Sequence, residues 1–253
     1  MSIAELTSLI HDARNIVAFT GAGVSTESGI PDFRSPGGVW TRYDPRDFTF
    51  DRYLESAEVR QNSWKMREEF LAHMPQPNRT HHALALLESR GKLNGVITQN
   101  IDGLHQDAGT QNVIEIHGNV RDVTCIGTAP RNGVPAGCGF IERHEWVFEQ
   151  ISAGNLDPIC PTCGGFVKTA TISFGQAMPS GPMLEASRLV EECDLMLAIG
   201  SSLEVFPAAQ LPLDAKAAGA VVVIINRDPT DMDPFVDLVL NGEAGEILSR
   251  AVH

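Results

Sequence analysis

Apolar and polar positions follow two different periods along the chain, and the changes of period mark its elements. Residues 3–10 carry amphipathic spacing and read as the start of a helix. Short, nearly continuous β-branched runs then recur at residues 16–19, 95–98, 113–116, 195–199, 220–225 and 236–240. Such runs read as strands covered on both faces, the condition of a parallel sheet. Stretches with helical spacing lie between them, at residues 80–89, 182–192 and 208–218. The alternation predicts an α/β fold, a Rossmann-like doubly wound parallel sheet with helices on both faces.

Two segments break this rhythm. Residues 35–76 hold Pro36, Gly37, Gly38 and Pro45, followed by a helical pattern from about 48 to 71. Residues 122–167 are rich in Cys, Gly and Pro and have no long periodic run. Both read as insertions that together form a smaller domain with a helical part and a metal-binding part. Residues 1–34, 77–121 and 168–253 are left for the large domain.

Composition leaves room for that architecture. With 253 residues, 43% of them hydrophobic, the chain can bury a full core. Its longest apolar run, residues 220–225, is far short of the roughly 20 residues that a membrane helix needs. The N-terminus lacks the order of a signal peptide. A soluble, cytoplasmic protein with no membrane partner is expected. The formal charge of −13 disfavours direct binding to nucleic acid, which wants a basic surface. It would attract basic peptide segments, although acidity also serves solubility alone.

Four of the five cysteines fall between Cys125 and Cys163. Clustering of this kind points to a metal more than to disulfides. Cys160 and Cys163, followed by Gly164 and Gly165, form half of a tetrahedral thiolate site. Cys125 and Cys138 are separated by twelve residues, but Pro130, Gly133, Pro135 and Gly137 between them let the chain loop out and return. One structural zinc ion on these four is favoured over unligated thiols or an iron–sulfur cluster. Four thiolates would leave no open position for metal chemistry. Cys193 reads as a small buried hydrophobe.

The remaining polar signals sit at strand ends. The first strand runs into Gly21, Ala22 and Gly23, a turn that lets backbone N–H groups approach a pyrophosphate. The usual dinucleotide fingerprint wants a third glycine where Thr26 stands, and no ribose-binding acid ends a second strand. Hydride transfer is therefore disfavoured. Asp32, Phe33 and Arg34 lie in a polar loop that could close over a cofactor. Gln99, Asn100, Ile101 and Asp102 follow the second strand, and His117 follows the third with Gly118 beside it. Gly200, Ser201 and Ser202 follow the strand at 195–199, and Asn226 follows the one at 220–225. Any one of these could be an ordinary cap; at the carboxyl ends of neighbouring strands they make a single site. His117 is placed to work as a general base near neutral pH. His105, on the helix expected after Asp102, is the competing candidate and is expected either to support the site from behind or to play a structural part.

Taken in order, these stretches resemble the motifs of the sirtuins, the NAD⁺-dependent protein deacylases. The matching runs are residues 21–25, 29–34, 98–105, 117–119, 174–175 and 200–203, with Asn226. The resemblance extends from about Ile16 to Ala244. It implies that Gly21, Ala22 and Gly23 meet the pyrophosphate and that Asp32, Phe33 and Arg34 belong to the cofactor loop. It also implies that Gln99, Asn100, Ile101 and Asp102 hold the nicotinamide end, and that Gly200, Ser201, Ser202, Asn226 and Ala244 hold the adenosine half. Phe174, Gly175, Leu203, Glu204 and Val205 would line a groove for acyl-lysine peptides, the implied partners. In the implied reaction the acyl oxygen attacks C1′ of the nicotinamide ribose, and His117 then activates a ribose hydroxyl. NAD⁺ is consumed as a co-substrate, and nicotinamide, free lysine and O-acyl-ADP-ribose leave. Residues 55–64 are similar to a bacterial-type branch with weak deacetylase, ADP-ribosyltransferase or other deacylase activity. Lys168, Thr169 and Gln176 depart from the family pattern near the substrate segment. The alternatives on the residues alone are ADP-ribosyl transfer to a protein side chain and a non-enzymatic NAD⁺-sensing scaffold.

Overall fold

The computed structural model describes residues 2–128, 133 and 135–252; Pro130 of the expected loop-out lies outside them. In chain order the helices are α1 (Ile3–Asp12), α2 (Phe50–Glu55), α3 (Ala57–Ala72), α4 (Arg79–Ser89), α5 (Leu104–Asp107), α6 (His144–Ser152), α7 (Ser180–Glu192), α8 (Leu211–Ala218) and α9 (Ala244–Val252). The strands are β1 (Ile16–Thr20), β2 (Leu93–Thr98), β3 (Val113–Glu115), β4 (Gly118–Gly127), β5 (Ile141–Arg143), β6 (Phe166–Thr171), β7 (Leu195–Ile199), β8 (Val221–Asn226) and β9 (Leu238–Asn241).

Six strands form one sheet in the order β3-β2-β1-β7-β8-β9, and all five pairings are parallel. This is the doubly wound arrangement that the sequence periodicity predicts. The central strands explain why: every residue of β1 and β7 is buried, so neither strand can alternate between apolar and polar. One core layer joins Leu6, Leu84, Leu87 and Leu248 to one face of the sheet, and a second joins Ala186, Val190, Leu211 and Ala215 to the other. The strand order reverses between β1 and β7, so the chain leaves their carboxyl ends in opposite directions and opens a crevice there.

Three strands form a separate antiparallel sheet, β5-β4-β6. Its core of Val123, Cys125, Val147, Cys160 and Val167 packs on Trp64 of α3, which ties the two insertions together. Positions 121/122 lie within β4 and 167/168 within β6, so both strands run across the expected boundaries. Two further features differ from the sequence reading. The helix expected over 48–71 is broken at Ser56, which is extended (φ −125°) and accepts the Val59 N–H at 3.3 Å, thereby capping α3. β4, β5, α6, β6 and α9 have no counterpart among the predicted elements.

Candidate active site

The glycine turns after β1 and β7 pack directly on each other at the reversal point. Gly23 N–H donates to the Gly200 carbonyl at 2.8 Å, and Gly21 N–H donates to that of Ile199 at 3.1 Å. A Cβ on Gly23 would lie 2.8 Å from Gly200 Cα, and one on Gly200 (φ +60°) would lie 2.4 Å from Val24 N. Part of the glycine requirement is therefore mutual backbone packing. From the sequence these glycines read as ligand approach or an ordinary cap, and their mutual contact is not visible there.

His117 sits between β3 and β4. Its Nδ1 lies 3.1 Å from the Gln99 carbonyl, an acceptor only, so Nδ1 carries the proton and Nε2 keeps its lone pair. Burial lowers the pKa of the ring, opposed by that hydrogen bond, so the neutral form prevails near pH 7. Gly118 (φ +73°) is required here because a Cβ would lie 1.9 Å from the Ala170 carbonyl oxygen.

The residues that follow β2 are tied to the turns after β7 and β1. Gln99 donates from Nε2 to Ser201 Oγ at 2.9 Å, bridging β2 and β7. Asn100 is buried and donates from Nδ2 to Ser25 Oγ at 3.1 Å; Ser25 in turn donates to Asp102 Oδ2 at 2.8 Å. Burial raises the pKa of the Asp102 carboxyl, opposed by the Leu104 N–H and the Ser25 hydroxyl. Half-buried Ile101 accepts the Val120 N–H through its carbonyl at 2.9 Å. Ser25 joins Asn100 to Asp102 and had been given no site role of its own. Its place in the turn after β1 was the available signal.

Arg34 and Asp32 reach the segments that follow β7 and β8. Arg34 forms an ion pair with Glu204 at 3.0 Å and donates to Ser202 Oγ at 3.3 Å. Asp32 accepts from Ser35 N–H at 2.7 Å, while Arg227 donates to Ser35 Oγ at 2.6 Å. Phe33 stacks on Trp40 (centroids 5.1 Å apart), and Trp40 meets Phe174 at 6.1 Å. Trp40 and Arg227 are thus neighbours of the site that no motif marked. Phe174 pairs its backbone with Phe48 and Phe50 and presents a ring that is 47% exposed. Gly175 (φ +79°) lies beside it and is also exposed.

Leu203 is buried in a left-handed conformation (φ +56°), its N–H on Ser201 Oγ at 3.2 Å; Glu204 beside it faces Arg34, and the Val205 carbonyl accepts the Ala209 N–H at 2.9 Å. Asn226 ends β8 and accepts from Asn241 and Gly242, which sets it between β8 and β9. Ala244 is buried at the start of α9, where Gly245 N–H donates to Glu27 at 2.9 Å. The departures at Lys168 and Thr169 are buried, and Lys168 Nζ donates to the Thr171 carbonyl at 2.5 Å. His105 is buried away from the crevice opening, on the Thr20 hydroxyl.

Cys125, Cys138, Cys160 and Cys163 come together as expected, with all four Sγ atoms within 4.8 Å of one another. The contacts Cys125–Cys163 and Cys138–Cys160 are both 3.5 Å. Tetrahedral Zn–S bonds of about 2.3 Å imply sulfur separations of roughly 3.8 Å, so the donor set fits a structural zinc ion. Gly137 allows the return of Cys138, because a Cβ there would lie 1.8 Å from the Cys125 carbonyl oxygen.

Residues 21–207 match the model of the Sir2 family. The chain is 49% identical to NAD-dependent protein deacetylase 1 of Bradyrhizobium diazoefficiens, over 99% of this chain and 95% of that one. It is 47% identical to the NAD-dependent protein deacetylase of Rhodopseudomonas palustris, over 99% and 96%. Among solved structures it resembles a Sir2–p53 peptide–NAD⁺ complex with a TM-score of 0.86 and 34% identity, over 99% and 97% of the two chains. A parallel sheet with paired glycine turns, a histidine with a free Nε2 after the third strand and a four-cysteine module thus accompany sequence identity along nearly the whole chain, which belongs to the Sir2 family.

Proposed function

We propose that the chain consumes NAD⁺ to remove acyl groups from lysine side chains of proteins, releasing nicotinamide and O-acyl-ADP-ribose, with His117 as the base. The tautomer of His117 carries this assignment. With Nδ1–H held by the Gln99 carbonyl, Nε2 is the nitrogen left to accept a proton from a ribose hydroxyl. In this reading Gly21, Ala22 and Gly23 face the pyrophosphate, and Asp32, Phe33 and Arg34 cover it. Gln99, Asn100, Ile101 and Asp102 hold the nicotinamide end, while Gly200, Ser201, Ser202, Asn226 and Ala244 hold the adenosine half. Acyl-lysine peptides lie along Phe174, Gly175, Leu203, Glu204 and Val205.

The large domain of residues 1–34, 77–121 and 168–253 binds NAD⁺, and residues 35–76 and 122–167 form the smaller domain. Cys125, Cys138, Cys160 and Cys163 hold zinc, which shapes that domain and takes no part in the chemistry. Thiolate ligands and the use of NAD⁺ both suit the reducing cytoplasm, where we place the activity. No helix among the described residues is long and apolar enough to cross a membrane.

The deciding experiment is His117→Ala, assayed by the multiple-turnover formation of deacetylated peptide and O-acyl-ADP-ribose from acetyl-lysine peptide, the products that form after the base has acted. A lost general base lowers the rate about 10²- to 10⁴-fold. The melting temperature should stay close to that of the parent, since His117 is only half-buried. A variant that keeps most of the activity would remove His117 from the mechanism.

A further inference from the structure

Behind the crevice, α4 and α5 press two buried histidine rings together. His81 and His105 are 0% and 1% exposed, with centroids 4.8 Å apart and planes inclined at 59°. Each ring has one nitrogen engaged. Asn78 N–H donates to His81 Nδ1 at 3.2 Å, which leaves the ring proton on Nε2. His105 Nε2 pairs with Thr20 Oγ1 at 3.0 Å. The other two nitrogens, His81 Nε2 and His105 Nδ1, are buried and reach no protein partner among the described residues. The same holds for the hydroxyls of Thr80, next to His81, and Thr110, whose N–H donates to the His105 carbonyl at 3.1 Å. Each orphaned group costs about 1–3 kcal/mol. A concentration of four around one helix contact calls for a partner. Two to four polar groups are what hold a buried water molecule.

We propose that His81 and His105 hold one internal water molecule between α4 and α5, and that this makes His105 a positioning residue for Asn100. From His105 the path runs through Thr20 to Thr98, whose hydroxyls are 2.8 Å apart, and then to Asn100 N–H on Thr98 Oγ1 at 3.0 Å. From His81 it runs to Asn78, which donates from Nδ2 to the Val24 carbonyl at 2.7 Å and to Ser28 Oγ at 2.9 Å. The water joins the turn after β1 to the end of β2, so the two sides of the crevice floor keep one spacing. Burial pushes His81 down to about 4 and His105 down to about 3, which keeps both rings neutral partners. The consequence for NAD⁺ rests on the role proposed for Asn100; the water site itself does not.

A crystal structure of the full chain that resolves water should show one density peak within hydrogen-bond reach of both free nitrogens. His105→Leu should raise the KM for NAD⁺ about tenfold, the effect of one displaced hydrogen bond, and leave the KM for acyl peptide unchanged. His105→Gln, whose amide can serve Thr20, should restore the NAD⁺ value to within about twofold. An empty site in well-resolved density would overturn the proposal. So would a His105→Leu enzyme that melts lower with unchanged KM for NAD⁺, because that is the result of a purely structural ring. If His105→Leu does not fold, the density and His105→Gln decide. A His117→Ala enzyme that stayed active would count against the catalytic reading alone.

Discussion

Burial separates the histidines that share the neighbourhood of the crevice. His117 is half-buried with a free Nε2, whereas His81 and His105 are sealed from solvent. All three have lowered pKa values, with burial the leading cause. For His81 and His105 the folded values, about 4 and about 3, lie below the ordinary 6.5 of the unfolded chain. Their contribution to stability is thus complete above pH 6.5 and is lost as the pH falls from there toward 4 and 3. While both remain neutral in the folded state, the slope approaches about 2.7 kcal/mol per pH unit, the value for two protons. The raised carboxyl of Asp102 acts in the opposite direction at the acid end. Urea unfolding at pH 7, 6 and 5 should show stability falling with pH, and His81→Gln with His105→Gln should flatten the fall. An unchanged slope in the double variant would mean that other groups titrate. At this scale the residue types of the site were legible, because strand-end amides, hydroxyls and glycines stand out against apolar runs. Trp40 and Arg227 were not, since no motif includes them: Trp40 joins the site through its backbone N–H on the Phe33 carbonyl and its ring against Phe33, and Arg227 through its long side chain.

Among the elements, the buried strands were the easiest to read and the helical insertion the hardest. An unbroken apolar run has few interpretations, but residues 48–71 carry a helical pattern that hides the break at Ser56. What fixes the break is Arg60. Its NH1 donates to the carbonyls of Tyr53 and Leu54 at 2.9 and 3.1 Å, taking up carbonyls of α2. Its Nε and NH2 grip Asp157 at 2.8 and 2.7 Å, and its guanidinium lies 4.2 Å over the Phe166 ring. One side chain joins α2 and α3 to the segment that leads into Cys160. Arg60→Met should cost about 2–3 kcal/mol, below the 3–5 of a fully buried pair because Asp157 keeps 24% exposure. Chemical denaturation would measure it, and a loss under about 0.5 kcal/mol, the scale of surface changes, would refute the role. β4 escaped prediction for a related reason: its pairing with β6, from Gly118 on Thr171 to Gly127 on Phe166, supplies what its own sequence lacks.

For the whole molecule, the two insertions bury only small apolar cores among the described residues. These cores comprise Trp64 with Val123, Val147 and Val167, and Phe50 with Tyr53 and Ile126. Metal binding there is folding energy. Chelation should therefore lower the melting temperature and the deacylation rate together, and Co²⁺ substitution should restore both. A strong rate change on Co²⁺ substitution with unaltered stability would show the metal acting in the chemistry. The sequence by itself determined the parallel sheet, its glycine turns and the cysteine set, because periodicity and local chemistry act over a few residues and need no distant partner. Tertiary structure alone decided which nitrogen of His117 is free and why Gly21, Gly23 and Gly200 must all be small. It also decided how two insertions share one core and which histidines are sealed. Each of these depends on distances between segments far apart in the chain, where close packing and the loss of water set the outcome.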